Sequence, residues 1–108
     1  MPIPERLKPI LTELKHGLQE IYGDRLRAVV LFGSQARGEA TEDSDVDVAV
    51  VLDDFENAYR ESDRYAELLY NLFLKYQELI TSVPMREQEW RRCDWRLYRN
   101  VRREGVVL

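Results

Sequence analysis

Cysteine and histidine each occur only once in these 108 residues, as Cys93 and His16. A single thiol excludes an intrachain disulfide and fits a reducing, cytoplasmic compartment. A single imidazole leaves no histidine-based metal-ligand spacing, so His16 reads as a surface residue. Cys93 sits between Arg92 and Asp94 without a histidine partner and reads as an unreactive thiol. No apolar run approaches the roughly 20 residues that cross a bilayer, and no signal-peptide-like stretch follows Met1. Repeats, low-complexity tracts and linker-like stretches are also missing, so one domain over residues 1–108 is expected, with no role in a membrane.

Apolar residues make up 44% of the chain and charged residues 33%, a balance that suits a folded globular domain. The net charge of −4 is unevenly spread. Residues 1–54 carry eleven acidic against six basic side chains, whereas from Pro84 onward seven arginines face four acids. Arg91, Arg92, Arg96 and Arg99 interleave there with Trp90, Trp95 and Tyr98. That mixture suits a helix packing its aromatics and an interface rich in Trp, Tyr and Arg better than it suits nucleic acid.

Spacing gives the elements. Leu7, Ile10, Leu11, Leu14, Leu18, Ile21 and Tyr22 recur at helical period, with Pro9 in the first turn and Gly23 at the end. Ala28 to Phe32 is a short continuous apolar run, the pattern of a strand buried on both faces. Residues 35–44 read as a turn or brief helix and then a polar loop. Asp45 to Leu52 is a second strand, with Asp45, Asp47, Ala49 and Val51 on one face and Val46, Val48, Val50 and Leu52 on the other. A helix is expected over 57–76, its stripe made of Tyr65, Ala66, Leu69, Leu72, Phe73 and Tyr76, with most of the tyrosine row Tyr59, Tyr65, Tyr70, Tyr76 packing. A third strand from Leu79 to Val83 should stop at Pro84. Helices near Arg86–Arg92 and Arg96–Arg103 follow, the second closed by Gly105. The expected class is α/β (α+β), a small mixed sheet of three or more strands with helices packed on it.

Chemistry concentrates where the first strand ends and the second begins. Gly33 permits close approach of the backbone to a phosphate, Ser34 adds a hydroxyl donor, and the following amides can form an anion nest. Arg37 lies close enough to add a charge-assisted contact. Asp45 and Asp47, at i and i+2 on a strand, point to one face, where Mg²⁺ would bind through carboxylates completed by substrate phosphate oxygens. A carboxylate inside a strand as apolar as this one is costly unless it is paired, edge-exposed or metal-bound.

The run Leu31-Phe32-Gly33-Ser34-Gln35-Ala36-Arg37-Gly38-Glu39-Ala40, followed by Ser44-Asp45-Val46-Asp47-Val48, closely resembles the signature of the minimal nucleotidyltransferases. These are the small members of the DNA polymerase β-like nucleotidyltransferase superfamily. The ending Tyr98 to Val106 is similar to the C-terminal end of many of them. The resemblance implies the polymerase β palm-like fold and transfer of a nucleoside monophosphate from an NTP, ATP first among them, to a hydroxyl, with Mg²⁺ as cofactor. It implies that Gly33, Ser34 and Arg37 bind the nucleotide, that Ser44 braces the loop, and that Asp45 and Asp47 are the catalytic metal ligands.

Two departures narrow that reading. The superfamily usually has a third carboxylate on the next strand, and here that segment carries Thr81 and Ser82, with Glu78 the nearest acid. Neither hydroxyl can act as a base near neutral pH. The chain also has no room for the helical acceptor-binding domain of larger relatives. The resemblance supplies an acceptor instead: a helical partner protein of the HEPN type, often a toxic RNase, which such nucleotidyltransferases neutralise, some by adding AMP to it. Three functions remain open at this point. They are transfer onto a partner protein, in the manner of an antitoxin; masking of that partner without catalysis; and transfer to a small molecule by a homodimer.

Overall fold

Four strands form one sheet in the order β3-β2-β1-β4 in the computed structural model, which describes residues 3–41 and 43–108. β1 (Leu26–Phe32) runs antiparallel to β2 (Val46–Leu52), in a register that sets Phe32 opposite Asp47 and Leu31 opposite Val48. β3 (Ile80–Arg86) lies parallel to β2, with Asp47 beside Thr81 and Ala49 beside Val83. β4 (Val106–Val107) pairs antiparallel with the other edge of β1. The parallel β2–β3 pair needs a crossover, and α3 (Ala58–Tyr76) provides it.

The alternation of β2 divides the core in two. Val46, Val48, Val50 and Leu52 face α1 (Lys8–Tyr22) and α3, where they pack with Ile10, Leu14, Leu18, Tyr65 and Leu72. Each large apolar side chain buried there contributes about 1.5–3 kcal/mol. Gly17 lets the two helices approach closely, since a Cβ there would come within 2.6 Å of the Leu68 Cδ1. Glu13 ties them further, accepting from the Lys75 ammonium at 2.8 Å and from the Tyr76 hydroxyl. On the opposite face Ala49 and Val51 join Val30, Met85 and Val101, against α4 (Glu87–Arg92) and α5 (Arg96–Glu104).

The mixed sheet with packed helices is the expected class, and the differences have physical reasons. β3 continues through Pro84 to Arg86 instead of stopping at Val83. It is an edge strand, paired only with β2, so a missing amide on its open side breaks no ladder bond. β4 lies beyond the expected end of structure at Gly105, and two residues are too few for any periodicity. On α3 the inward stripe is Tyr65, Leu68, Leu69, Leu72 and Tyr76, while Ala66 and Phe73 lie outside it. Positions 66 and 73 each follow an inward residue by one step, about 100° around the helix. The tyrosine row is split, with Tyr59 85% and Tyr70 60% exposed. A short α2 (Gly33–Arg37) occupies the expected turn and begins at Gly33, two residues earlier than expected. Among the described residues no helix is long and apolar enough to cross a membrane.

Candidate active site

Phe32, Asp47 and Thr81 form a row across three neighbouring strands, at the end of the sheet where β1 finishes and β2 and β3 begin. The pleat turns all three toward the α4–α5 face. Gly33 follows Phe32 directly and starts α2 at φ 74°. A Cβ on Gly33 would collide with the Asp47 carboxylate at Oδ2. The register of β1 and β2 thereby brings the glycine-serine turn and Asp47, the one carboxylate of β2, together, although they lie fourteen positions apart in sequence.

α2 is held from below by Gln35 and Ala36, both buried. Its N-cap residue, Phe32, supplies no side-chain hydrogen bond, and among the described residues no side chain accepts from the opening amides of the helix. Gly38 closes the helix in the left-handed region. The following loop doubles back to β2. Ser44 Oγ accepts the Thr41 amide at 2.9 Å, and the Ser44 amide donates to the Thr41 carbonyl at 3.1 Å. Gln35 Nε2 reaches the Ser44 carbonyl at 3.5 Å, while its buried Oε1 has no hydrogen-bond partner among the described residues. Gln35 therefore connects the start of α2 to the residue preceding Asp45.

Arg37, at the end of α2, is held by two ion pairs. Its guanidinium pairs with Glu39 on the loop and with Glu104 on α5 at 3.0 Å, and the two carboxylates, Glu39 first, raise its pKa above the ordinary arginine value. Its position is that of a tie between α2 and α5. Asp45 is exposed and forms no ion pair among the described residues. Asp47 is half-buried, and its Oδ1 accepts a hydrogen bond from the Thr81 hydroxyl. Glu78 is engaged elsewhere, by Arg6 at 3.1 Å on the side of the sheet that α1 covers.

Among the described residues no three or more His, Cys, Asp and Glu side chains cluster as a metal cage. Asp45 and Asp47 nevertheless fit Mg²⁺. Both offer hard oxygens, although β2 begins at Val46, so that Asp45 lies just before the strand instead of opening it. Asp45 makes no ion pair among the described residues, and Asp47 Oδ2 lies against Gly33, which has no side chain there. Such a pair needs further oxygens to complete a coordination shell.

The remaining chemistry-bearing side chains lie apart. His16 is a surface residue paired with Glu20 at 2.7 Å. Cys93 is a partly buried free thiol in the connection between α4 and α5. Trp90 and Tyr98 pack against the smaller core cluster, whereas Trp95 is 74% exposed and meets Tyr98 edge-on. Clefts of about 540 and 390 Å³ flank α1 and are lined by residues such as Lys15, His16, Leu68 and Lys75, not by the Gly33–Asp47 turn. Sequence reading missed Gln35, Glu104 and the contact of Thr81 with Asp47. Only the strand register, which spacing does not reveal, brings the last two residues together.

Residues 11–108 match the family model described as nucleotidyltransferase domain. A candidate protein adenylyltransferase of Methanocaldococcus jannaschii is 36% identical over 100 residues, covering 91% of this chain and 93% of the relative. Among solved structures, a toxin–antitoxin complex with AMP-PNP superposes with a TM-score of 0.65 at 22% identity, over 89% of this chain and 69% of that one. The complex of tri-AMPylated Shewanella oneidensis HEPN toxin with MNT antitoxin superposes at 0.52 and 22% identity, over 91% and 69%. At those identities the two structures bear on the fold alone.

Proposed function

The chain belongs to the nucleotidyltransferase domain family, as one of its minimal members, and from that premise we propose that it transfers a nucleoside monophosphate, AMP in the first instance, to a hydroxyl on a helical partner protein of the HEPN type. The observation that carries this reading is the contact of Gly33 with Asp47, which sets the glycine-serine turn against a strand carboxylate. The relative named for protein adenylylation and the fold shared with a toxin–antitoxin pair support the choice of a protein acceptor.

In this reading Gly33 and Ser34 receive the triphosphate on the uncapped amides of α2, and the serine hydroxyl adds a donor. Asp45 and Asp47 would hold Mg²⁺, which when bound neutralises charge on the transferring phosphoryl group and on the departing pyrophosphate. Ser44 and Gln35 keep the loop before Asp45 in register with α2. The acceptor oxygen bonds to the α-phosphorus, and the bond from that phosphorus to the pyrophosphate oxygen breaks. The hydroxyl proton leaves to water or to a base carried by the acceptor, because Glu78 is tied to Arg6 and Thr81 is no base. Losing a general base costs on the order of 10²–10⁴ in rate, so turnover is slow unless the partner brings one.

That deficit favours a second reading, in which the chain binds nucleotide and masks its partner without modifying it. Labelled ATP, Mg²⁺ and the protein encoded beside this one separate the two. Label on the partner that disappears with Asp45→Asn and Asp47→Asn is the expected result. A tight complex with no label, indifferent to both substitutions, would establish masking instead.

A further inference from the structure

Of the two candidate metal ligands, Asp47 alone has its carboxylate held by another side chain among the described residues, and that side chain is Thr81. We propose that Thr81 is a positioning residue for the cation site: its hydroxyl fixes the Asp47 carboxylate so that one oxygen is committed to β3 and the other is presented to the Gly33–Ser34 turn. The inference rests on the reading of Asp45 and Asp47 as metal ligands and adds to it the element that orients one of them.

Four observations converge on this role. The β2–β3 register puts Thr81 directly beside Asp47, on the same face of the sheet. The Thr81 hydroxyl donates to Oδ1, so this oxygen is already occupied. Oδ2 lies against Gly33, in space that any side chain at that position would fill. Thr81 itself is exposed on an edge strand, where a hydroxyl hydrogen-bonds readily to water and its substitution removes no core packing. A hydrogen bond to a ligating carboxylate sets which lone pairs remain for the ion, and removal of such a partner typically weakens metal binding about 10–100-fold. The same bond gives Asp47 a partner in a strand that is otherwise entirely apolar from Val46 to Leu52.

Valine matches threonine in shape and strand propensity and lacks only the hydroxyl, whereas serine keeps the hydroxyl and loses the methyl. The test is Mn²⁺ affinity by electron paramagnetic resonance, measured on the full chain with AMP-PNP, for wild type, Thr81→Val, Thr81→Ala, Thr81→Ser and Asp47→Asn. The expected result is Mn²⁺ binding weakened about 10–100-fold in Thr81→Val and Thr81→Ala, restored in large part by Thr81→Ser, with thermal midpoints unchanged. Wild-type affinity in Thr81→Val overturns the role of Thr81 and leaves the metal site standing. Equal weakening in Thr81→Val and Thr81→Ser also overturns it, since the hydroxyl would then not be the active feature. If Thr81→Val does not fold, Thr81→Ala carries the comparison. Failure of wild type to bind Mn²⁺, or undiminished binding by Asp47→Asn, overturns the metal reading itself and the inference with it.

Discussion

At Gly33 two separate constraints act on one residue. Its φ of 74° lies in the left-handed region, and the Asp47 carboxylate fills the space where a Cβ would project. Gly33→Ala should therefore strain the backbone and displace Asp47 together, at a combined cost of about 1–3 kcal/mol. Calorimetry should show ATP affinity with Mg²⁺ reduced on the order of tenfold or more, alongside a lower thermal midpoint. An alanine variant with both unchanged would contradict the placement of the turn against Asp47. At this scale the residue types were legible in the sequence, because glycine, serine and paired aspartates bring their chemistry with them. Partners were less so. Arg37 has the right charge for a phosphate, yet it pairs with Glu39 and with Glu104, and the latter lies 67 positions away in sequence.

Among the elements, α1 and α3 are joined by close packing at Gly17 and Leu68 and by the Glu13 contacts with Lys75 and Tyr76. The hydrogen bonds from Lys75, then Tyr76, hold the Glu13 carboxyl below its ordinary value of 4.5. A carboxyl depressed on folding adds stability above its unfolded pKa and loses it as pH falls through the lower folded value. Urea denaturation should accordingly show wild-type stability falling as pH drops below about 4.5, while Glu13→Gln is less stable at neutral pH and has a shallower acid limb. The limb should persist in part, since Asp53 is also depressed, by the Asp54 amide first and then by Arg25. Parallel limbs in the two proteins would show that the Glu13 contacts contribute nothing to the folded state. The elements themselves were largely legible, since α1, β1, β2 and α3 carry strong periodicity. What spacing left out was set by neighbours. Pro84 stays in β3 because that strand has an open edge, and β4 exists because β1 offers a free side to two valines.

Taken as a whole, the molecule places its chemistry at one end of the sheet, where three strands bring Phe32, Asp47 and Thr81 into line and α2 leads away from them. The class of fold follows from alternating apolar runs, and the proposed nucleotide half of the site follows from the glycine-serine turn and the aspartate pair. The acceptor half does not, because no carboxylate stands beside Asp47 on β3 and the hydroxyl there is bound to it. A partner that contributes the acceptor, and any base it needs, is consistent with a site that lies on the surface of this chain. The most direct test of the nucleotide–metal site is a crystal structure of the full chain with AMP-PNP and Mn²⁺, using the anomalous signal of the metal. The account predicts Mn²⁺ between Asp45 and Asp47, with phosphate oxygens at the amides of Gly33 and Ser34. Nucleotide bound elsewhere, or bound there with no metal peak between the two carboxylates, would contradict it.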